Sequence, residues 1–379
     1  MNKTANQIVT EAWNEDRLAY LPYTEENKSE YLINETINHE PISGGTIKGD
    51  GRGSGLNKWQ PRRGPCTALV ATDKLKDAVL KVRGTDQTFR DFAIWGSTGY
   101  QIETKGLVPR REYAAIEMDY SNHGLGTGGH RFRDLMLCGF ETGFKFASEA
   151  NHHNCDESFI DGCDAENLGS YLGLYGTQAV NHTITKASLV HVDNVIDVHR
   201  GGRVVAGHIS SKAGKCIGVR LRGGHYSPTV HDYSIDYLGF DAQCEHRGEL
   251  VRMDKPCMAE VRINGGSITC RDYHKYDARM ATLRGEIIND QYHMVCNPRL
   301  VVEDFIGLQK GTLEWHSKPG SVCHFVLANC KIFTERVFDL LAMNSSGIAY
   351  IHTSNVTNLR GDLLPDLRGE VVGYGVNNA

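Results

Sequence analysis

Apolar and polar residues alternate with a period of two over many short segments of this chain. In residues 195–203, Ile196 and Val198 lie on one side while Asp197 and His199 lie on the other. This alternation is typical of a β-strand with one buried face.

A second segment, residues 218–225, repeats the pattern. Val219 and Leu221 alternate with Arg220 and Arg222, and two glycines follow. Glycine adopts positive φ at little cost, so each segment predicts a strand that ends in a sharp turn.

This strand-and-turn unit recurs along the chain at irregular intervals, from 23 residues (198 to 221) to 36 residues (82 to 118). Second strands are predicted in the same units, for example at residues 89–94 and 132–137. Many short strands at such periods favour a β-solenoid over a propeller, which needs longer and more regular units. The inward residue that ends each first strand is predicted to be Val82, Met118, Phe146, Leu174, Val198, Leu221, Met253, Leu283, Trp315 and Leu340.

Helical spacing of apolar residues is found at residues 4–15, with Thr4 or Asn6 as a candidate cap. The apolar positions of this helix are Ile8, Val9, Ala12 and Trp13. We therefore predict an all-β chain: an N-terminal capping helix over 1–17, one right-handed parallel β-helix of about ten coils over 18–360, and a C-terminal tail over 361–379.

Composition restricts the functional classes. The chain has 379 residues, 40% of them hydrophobic, and a formal net charge of −5. Nucleic-acid binding would need a basic surface, and no apolar run is long enough to span a bilayer, so neither partner is expected. The N-terminus lacks an apolar signal segment, which predicts synthesis in the cytoplasm. The 11 cysteines occur singly, as expected for reduced thiols in a core.

The opening residues carry a family resemblance. They contain Tyr-Leu-Pro at 20–22, Tyr-Leu-Ile at 31–33 and Thr-Ile-Lys-Gly-Asp-Gly-Arg-Gly at 46–53. This segment of about fifty residues resembles the pectate-lyase-like superfamily of right-handed parallel β-helices, which includes phage tailspikes and polysaccharide-degrading enzymes. The glycine run that usually precedes the first strand is replaced here by Asn-Glu-Asp-Arg at 14–17.

The resemblance implies a fold and a class of partner, but it supplies no catalytic signature. Its implied substrate is a polysaccharide or bacterial surface glycan. Its implied assembly is a homotrimer, either associated with a virion or released outside the cell.

Aligning the first strands predicts two outward columns of side chains. The first column is Lys81, Glu117, Lys145, Gly173, Asp197, Arg220, Arg252, Arg284, Glu314 and Asp339. The second is Arg83, Asp119, Ala147, Tyr175, His199, Arg222 and Asp254, with His316 further on. Asp197, Arg220 and Arg252 should therefore lie on one face in successive coils.

The middle of these columns has the groups needed to cleave an acidic sugar by β-elimination. His199 is the candidate base and Tyr175 the candidate acid, with Asp197 orienting His199 or Arg220. Arg220, Arg222 and Arg252 are predicted to hold the sugar carboxylate, because a guanidinium matches it in a bidentate fashion, and Arg220 is counted with the catalytic group. The predicted substrate-binding residues are Arg222, Arg252, Asp254, Glu117, Asp119 and Lys145. The alternative is a ladder of alternating charges that keeps the surface soluble and the coils in register.

Hydrolysis would instead need two carboxyl groups, about 5 Å apart for retention or about 6.5–9.5 Å apart for inversion. The candidates are Glu314 with Asp339, Asp197 with Asp254, Glu117 with Asp119, and the second-strand residues Asp232 and Asp236.

No metal site is assigned from the sequence, although two are considered. Residues 152–155 with Cys163 have zinc-type ligands, and Asp161, Asp164 and Glu166 make calcium a candidate cofactor.

Two functional hypotheses follow. The first is a lyase or glycoside hydrolase that cleaves an acidic glycan, and the second is a non-catalytic structural or glycan-binding β-helix such as a virion fibre or adhesin. An enzyme needs Tyr175, His199 and Arg220 to converge in a groove, whereas a structural β-helix can hold the same residues in mutual salt bridges.

Overall fold

A computed structural model describes most of the chain. The described residues are 4–15, 17–23, 30–39, 43–53, 66–96, 109–118, 127–146, 155–176, 179–212, 216–223, 231–240, 249–257, 259–268, 281–285, 298–308, 313–317, 321–343 and 348–372.

Contacts divide the chain into two compact units, Met1–Asp193 and Asn194–Ala379. The sequence predicted no division within 18–360, and the boundary lies inside a strand, β16 (His182–Val198), rather than in a linker. No helix among the described residues is long and apolar enough to cross a membrane.

The predicted N-terminal helix is confirmed as α1 (Ala5–Glu15). Thr4 caps it: its Oγ1 accepts a hydrogen bond from the Gln7 amide at 3.2 Å, and its own amide donates to Gln7 Oε1 at 2.9 Å. This reciprocal pair satisfies two backbone donors that the first turn leaves open. Ala5 and Val9 are buried on one face of the helix.

Most strands of the first unit are parallel and stack in three rows, and two short strands form a separate parallel pair. The strands are β1 (Leu18–Leu21), β2 (Glu30–Ile33), β3 (Ile37–His39), β4 (Thr46–Gly49), β5 (Ala68–Ala71), β6 (Leu80–Val82), β7 (Thr88–Arg90), β8 (Ala93–Trp95), β9 (Arg111–Met118), β10 (Thr127–Gly128), β11 (Arg131–Arg133), β12 (Met136–Phe146), β13 (Cys155–Asp156), β14 (Phe159–Asp161), β15 (Asp164–Leu174) and the start of β16. The first row is β1, β4, β7, β11 and β14. The second is β2, β5, β8 and the first halves of β12 and β15. The third is β3, β6, β9 and the second halves of β12 and β15.

The core of this unit is built from the inward residues of successive coils. Phe89 is in register with Phe132, and their rings stack at 5.2 Å. Phe132 in turn contacts Phe144 at 5.1 Å, which meets Tyr171 edge-on at 5.5 Å. Such aromatic pairs add to the stabilisation that comes from burial alone.

The second unit has the same organisation. Its strands are the end of β16, β17 (Arg203–Lys212), β18 (Ile217–Leu221), β19 (His231–Phe240), β20 (Glu249–Met253), β21 (Ala259–Ile263), β22 (Gly266–Ile268), β23 (Ala281–Gly285), β24 (Arg299–Glu303), β25 (Phe305–Leu308), β26 (Leu313–Ser317), β27 (Val322–Ala328), β28 (Lys331–Ile332), β29 (Leu341–Met343), β30 (Ile348–Ser354) and β31 (Arg368–Val372). One row is β16, β18, β20, β23, β26 and β29. A second is β17, β19, β21, β24, β27 and β30. A third is the end of β19 with β22, β25 and β28.

The chain is therefore an all-β parallel β-helix with an N-terminal helix, as predicted. All ten predicted inward residues are buried. Three details differ from the predictions. The rows show three strands per coil rather than two. Met343, not Leu340, pairs with Trp315, because Leu340 lies in a 3-10 turn (Val337–Leu340). The segment predicted as a tail contains β31, which pairs antiparallel with β30.

Coil corners are made by residues with positive φ. Asp304, Asn329 and Asn355 have φ of 49°, 52° and 53° and occupy equivalent corners in successive coils of the second unit. Their backbones join through hydrogen bonds from Asp304 N to Ala328 O and from Asn329 N to Ser354 O. Aspartate and asparagine tolerate this conformation better than other residues that carry a side chain.

Candidate functional site

In the first unit, the predicted column of charged residues forms in register. Lys81 is opposite Glu117, Glu117 is opposite Lys145, and Lys145 is opposite Gly173. The Lys145 ammonium lies 3.2 Å from the carboxylate of Glu117, whose side chain is 10% exposed. Asp119, the other acid predicted on this strand, lies outside the described residues.

Tyr175 belongs to the same cluster of the first unit. Lys145 Nζ lies 5.3 Å from the centre of its ring, within the range of a cation–π contact. The ring covers Gly173, where an added Cβ would be only 2.7 Å from Tyr175 Cε2. Gly173 thus leaves the space that the tyrosine ring fills.

In the second unit, Asp197, Arg220 and Arg252 are opposite one another on β16, β18 and β20, as the alignment predicted. The next partner is Thr282 on β23, followed by Glu314 on β26. We call the side of these five strands that carries Asp197 the Asp197 face. Arg284 is opposite His316 instead, so its placement in the first column was wrong by two positions.

Asp197 is almost completely buried although it points away from the core. Its side chain is 1% exposed, and its two oxygens accept hydrogen bonds from Nε and Nη2 of Arg222 at 2.7 Å each. The side chain of His199 is 22% exposed, and its Nε2 lies 3.7 Å from Asp197 Oδ2. A buried carboxylate thus has a guanidinium on one side and a more exposed imidazole nearby.

Asp254 joins two arginines of the face. Nε and Nη2 of Arg220 both lie 2.9 Å from its Oδ2. Nε of Arg252 lies 3.3 Å from its Oδ1, and Nη1 of Arg252 lies 3.8 Å from Glu249. Each arginine that the sequence assigned to a sugar carboxylate is therefore already in contact with a carboxylate of the protein. Among the side chains of Arg220, Arg222 and Arg252, that of Arg252 is the most exposed, at 46%.

The predicted catalytic group is distributed over both units. Tyr175 lies in the first, whereas Asp197, His199 and Arg220 lie in the second. Within the second unit, the structure brings together His199, Asp197 and Arg222, and separately Arg220, Asp254 and Arg252. The catalytic and binding roles of all these residues stay predictions.

The carboxylate pairs considered for hydrolysis are mostly engaged by other groups. Asp339 bonds Arg336 in the 3-10 turn and is not opposite Glu314, whose register partner is Ala342. Asp232 on β19 lies 3.9 Å from Arg203, and Asp236 accepts a hydrogen bond from Asn264 Nδ2.

Among the described residues, no group of three or more His, Cys, Asp or Glu side chains could hold a metal ion. Asp161 accepts a hydrogen bond from Thr185, and Asp164 lies 2.7 Å from Arg52, so two of the three calcium candidates have charged or polar protein partners. Cys163 is buried, and burial raises the pKa of its thiol far above the ordinary value, which disfavours a zinc thiolate. Residues 152–154 lie outside the described part of the chain.

Sequence reasoning missed a carboxylate–histidine contact on the Asp197 face. The sequence placed Glu314 in the first column and His316 in the second, but it paired Glu314 only with Asp339, whereas Oε2 of Glu314 lies 3.2 Å from Nε2 of His316. The signal was present, because both Asp197-x-His199 and Glu314-x-His316 place an acid and a histidine two positions apart, in or directly after a strand.

No family model matches the chain, and no curated protein matches it. Among solved structures, it is similar to the "Catalytic domain of GH87 alpha-1,3-glucanase in complex with nigerose", with 14% identity, a TM-score of 0.47, and coverage of 95% of this chain and 67% of that chain. A variant of that catalytic domain in complex with tetrasaccharides gives the same four values. A likeness at this level does not identify an activity.

Proposed function

We propose that this β-helix cleaves a polysaccharide on its Asp197 face and that His199 transfers the proton. The burial of Asp197 carries the proposal. A charge that only keeps a surface soluble lies in water, whereas Asp197 is 1% exposed. Burying a carboxylate costs several kcal/mol unless it is paired, so its position between Arg222 and His199 needs another reason than solubility.

The favoured reaction is β-elimination on an acidic sugar. His199 takes the proton from the carbon next to the sugar carboxylate. The C–O bond on the adjacent carbon then breaks, and a double bond forms between the two carbons. The departing oxygen then takes up a proton from water, while the role of Tyr175, which lies in the first unit, stays a prediction from the sequence. The negative charge of Asp197 stabilises the imidazolium that forms on His199.

The arginine contacts favour elimination over hydrolysis by two carboxyl groups. The acid of such a hydrolase must donate a proton, whereas Asp197 and Asp254 both accept hydrogen bonds from arginines. The side chain of Arg252 is more exposed than those of Arg220 and Arg222, so Arg252 is the arginine of the three best placed to meet the carboxylate of a sugar.

The second candidate function is a non-catalytic structural or glycan-binding β-helix. The bridge from Arg220 through Asp254 to Arg252 favours it, because ion pairs between adjacent strands also fix the register of coils. Both candidate functions are compatible with what the family resemblance implies, namely virion association or release from the cell, and a homotrimer. Light scattering of the purified chain tests the trimer.

The test is digestion of a panel of acidic and neutral glycans, with and without calcium. Absorbance at about 235 nm reports the unsaturated product of elimination, and reducing ends are measured in parallel. A matched control is His352→Ala, which removes a partly buried histidine from β30 in another row of the same unit.

Absorbance that falls sharply in His199→Ala but not in His352→Ala supports elimination at the Asp197 face. Reducing ends without absorbance would move the reaction to hydrolysis. A silent panel, with the protein folded by circular dichroism, would contradict cleavage and favour the structural or binding function.

A further inference from the structure

The Asp197 face carries a second carboxylate–histidine pair at its other end. Glu314 on β26 is in the same column as Asp197 on β16. His316 is two residues further along β26, and His199 likewise follows Asp197 by two residues, just after the end of β16. Four strand steps separate β16 from β26, which corresponds to about 19 Å at a strand spacing of about 4.8 Å. The two pairs are thus separate centres on one face.

The second pair has the geometry of an oriented base. Oε2 of Glu314 lies 3.2 Å from Nε2 of His316, within hydrogen-bonding distance, whereas the corresponding contact of His199 is 3.7 Å. A carboxylate can only accept, so Nε2 carries the proton in the neutral ring and Nδ1 keeps its lone pair. The contact therefore fixes both the tautomer and the ring orientation of His316.

Burial distinguishes the roles of the two side chains. Glu314 is 9% exposed and lies behind the ring, whereas His316 is 28% exposed and reaches solvent. The imidazole can therefore meet a bound molecule, while the carboxylate acts on it only through His316. In this arrangement one group orients a base, and the base contacts the substrate.

We propose that Glu314 and His316 form a second proton-transfer centre, which acts on the same acidic polysaccharide at another position along its chain. The inference rests on the proposed function. Nδ1 of His316 accepts the proton from the carbon next to a sugar carboxylate. The neighbouring C–O bond breaks as the double bond forms, and the proton passes to the departing oxygen. His316 is the catalytic residue and Glu314 its positioning residue.

The activity test measures how fast the full-length protein cleaves the glycan and how long the products are. His199→Ala is expected to leave a slower cleavage with a changed product distribution. Replacing His316 as well should lower kcat/KM by a further factor of about 100. His199→Ala with His352→Ala is the matched control, and His316→Gln replaces His316→Ala if the alanine variant melts at a lower temperature. Unchanged rates and product lengths after loss of His316 would overturn the proposal.

A second test does not depend on finding the glycan. Diethyl pyrocarbonate modifies unprotonated imidazole nitrogens, and peptide mapping gives the rate at each histidine. His316 should react several-fold faster than His352, and Glu314→Gln, which keeps an acceptor but removes the charge, should abolish that advantage. Equal rates at His316 and His352 would overturn the proposal even if the chain cleaves glycans. If no glycan is cleaved, the proposed function fails, while a fast and Glu314-dependent reaction still supports a base at this position.

Discussion

Asp197 has a negative charge at a position from which water is almost excluded. Both of its oxygens accept hydrogen bonds from Arg222, which lies 25 residues away in sequence but directly follows the adjacent strand β18. Removing one partner of such a pair leaves a buried charge without compensation, which costs more than the pair contributes when intact. Arg222 is thus expected to be needed for the fold as well as for the site.

Arg222→Ala is expected to lower the free energy of unfolding by about 2–3 kcal/mol, because Asp197 then stays buried without its guanidinium. The matched control is Arg252→Ala, expected to cost at most about 1 kcal/mol, since that side chain is 46% exposed. Urea denaturation of the two variants and the wild type gives both values. Equal losses would show that the burial of Asp197 has no energetic consequence.

At the scale of elements, the strands are held in register by their corners as well as by their ladders. Asn355 adopts φ of 53° and donates a hydrogen bond from Nδ2 to Asn329 Oδ1 at 2.9 Å, from one coil to the next. Both residues are exposed, so the apolar pattern of the strands does not place them. Their effect comes from backbone conformation and from contacts between coils.

Asn355→Ala is expected to destabilise the chain by about 1–2 kcal/mol, because alanine is strained at positive φ and cannot bond Asn329. Asn355→Gly removes the same hydrogen bond but accepts the conformation, so it should cost less. Thermal unfolding of both variants separates the two contributions. A glycine variant as unstable as the alanine variant would contradict a role for backbone strain.

At the scale of the whole molecule, buried histidines link stability to pH. His130 and His182 are buried in the first unit, and burial lowers their pKa values from 6.5 to about 4 and about 3. His182 stacks on Phe146 at 4.5 Å, and His130 Nδ1 accepts a hydrogen bond from the Gln87 amide. The ordinary value applies in the unfolded chain, which therefore binds more protons than the folded chain between about pH 3 and 6.5.

The free energy of unfolding is expected to have its full value above pH 6.5 and to fall as the pH decreases towards the pKa values of the folded state. At pH 5, each of the two histidines should lower the free energy of unfolding by about 2 kcal/mol. His182→Phe keeps the aromatic stack but cannot take up a proton, so it should remove about half of this loss and change little at pH 8. Urea unfolding of both proteins across this pH range provides the measurement. The same pH dependence in both would contradict the role of His182.

The cysteines give a second test at this scale. Eight of them are described, and all eight are buried. Burial raises the pKa of Cys138 and Cys323 well above the ordinary value and that of Cys330 to about 11. These thiols are expected to resist iodoacetamide in the folded protein and to react after unfolding, as mapped by mass spectrometry. Fast labelling of any of the eight in the folded state would contradict this burial.

Much of the β-helix was predictable from local patterns. The inward residues from Val82 to Trp315 follow from alternation along single strands, and all of them are buried. Leu340 and Arg284 show where the alignment failed. At Leu340 a 3-10 turn shifts the register towards Met343, and at Arg284 the alignment was shifted by two positions along the same side of the strand. Neither shift changes the apolar pattern enough to be visible in it.

The sequence by itself determined the fold class, the N-terminal helix, the direction of most side chains along each strand, and the alignment of Asp197 with Arg220 and Arg252. These follow from periodicity, capping and turn chemistry, which are local properties of the chain. Only the tertiary structure decided which charges meet. Whether Arg222 bonds Asp197, whether Asp254 joins two arginines, and whether Glu314 lies behind His316 depend on side-chain positions between coils, because ion pairing and burial are set by neighbours that are distant in sequence.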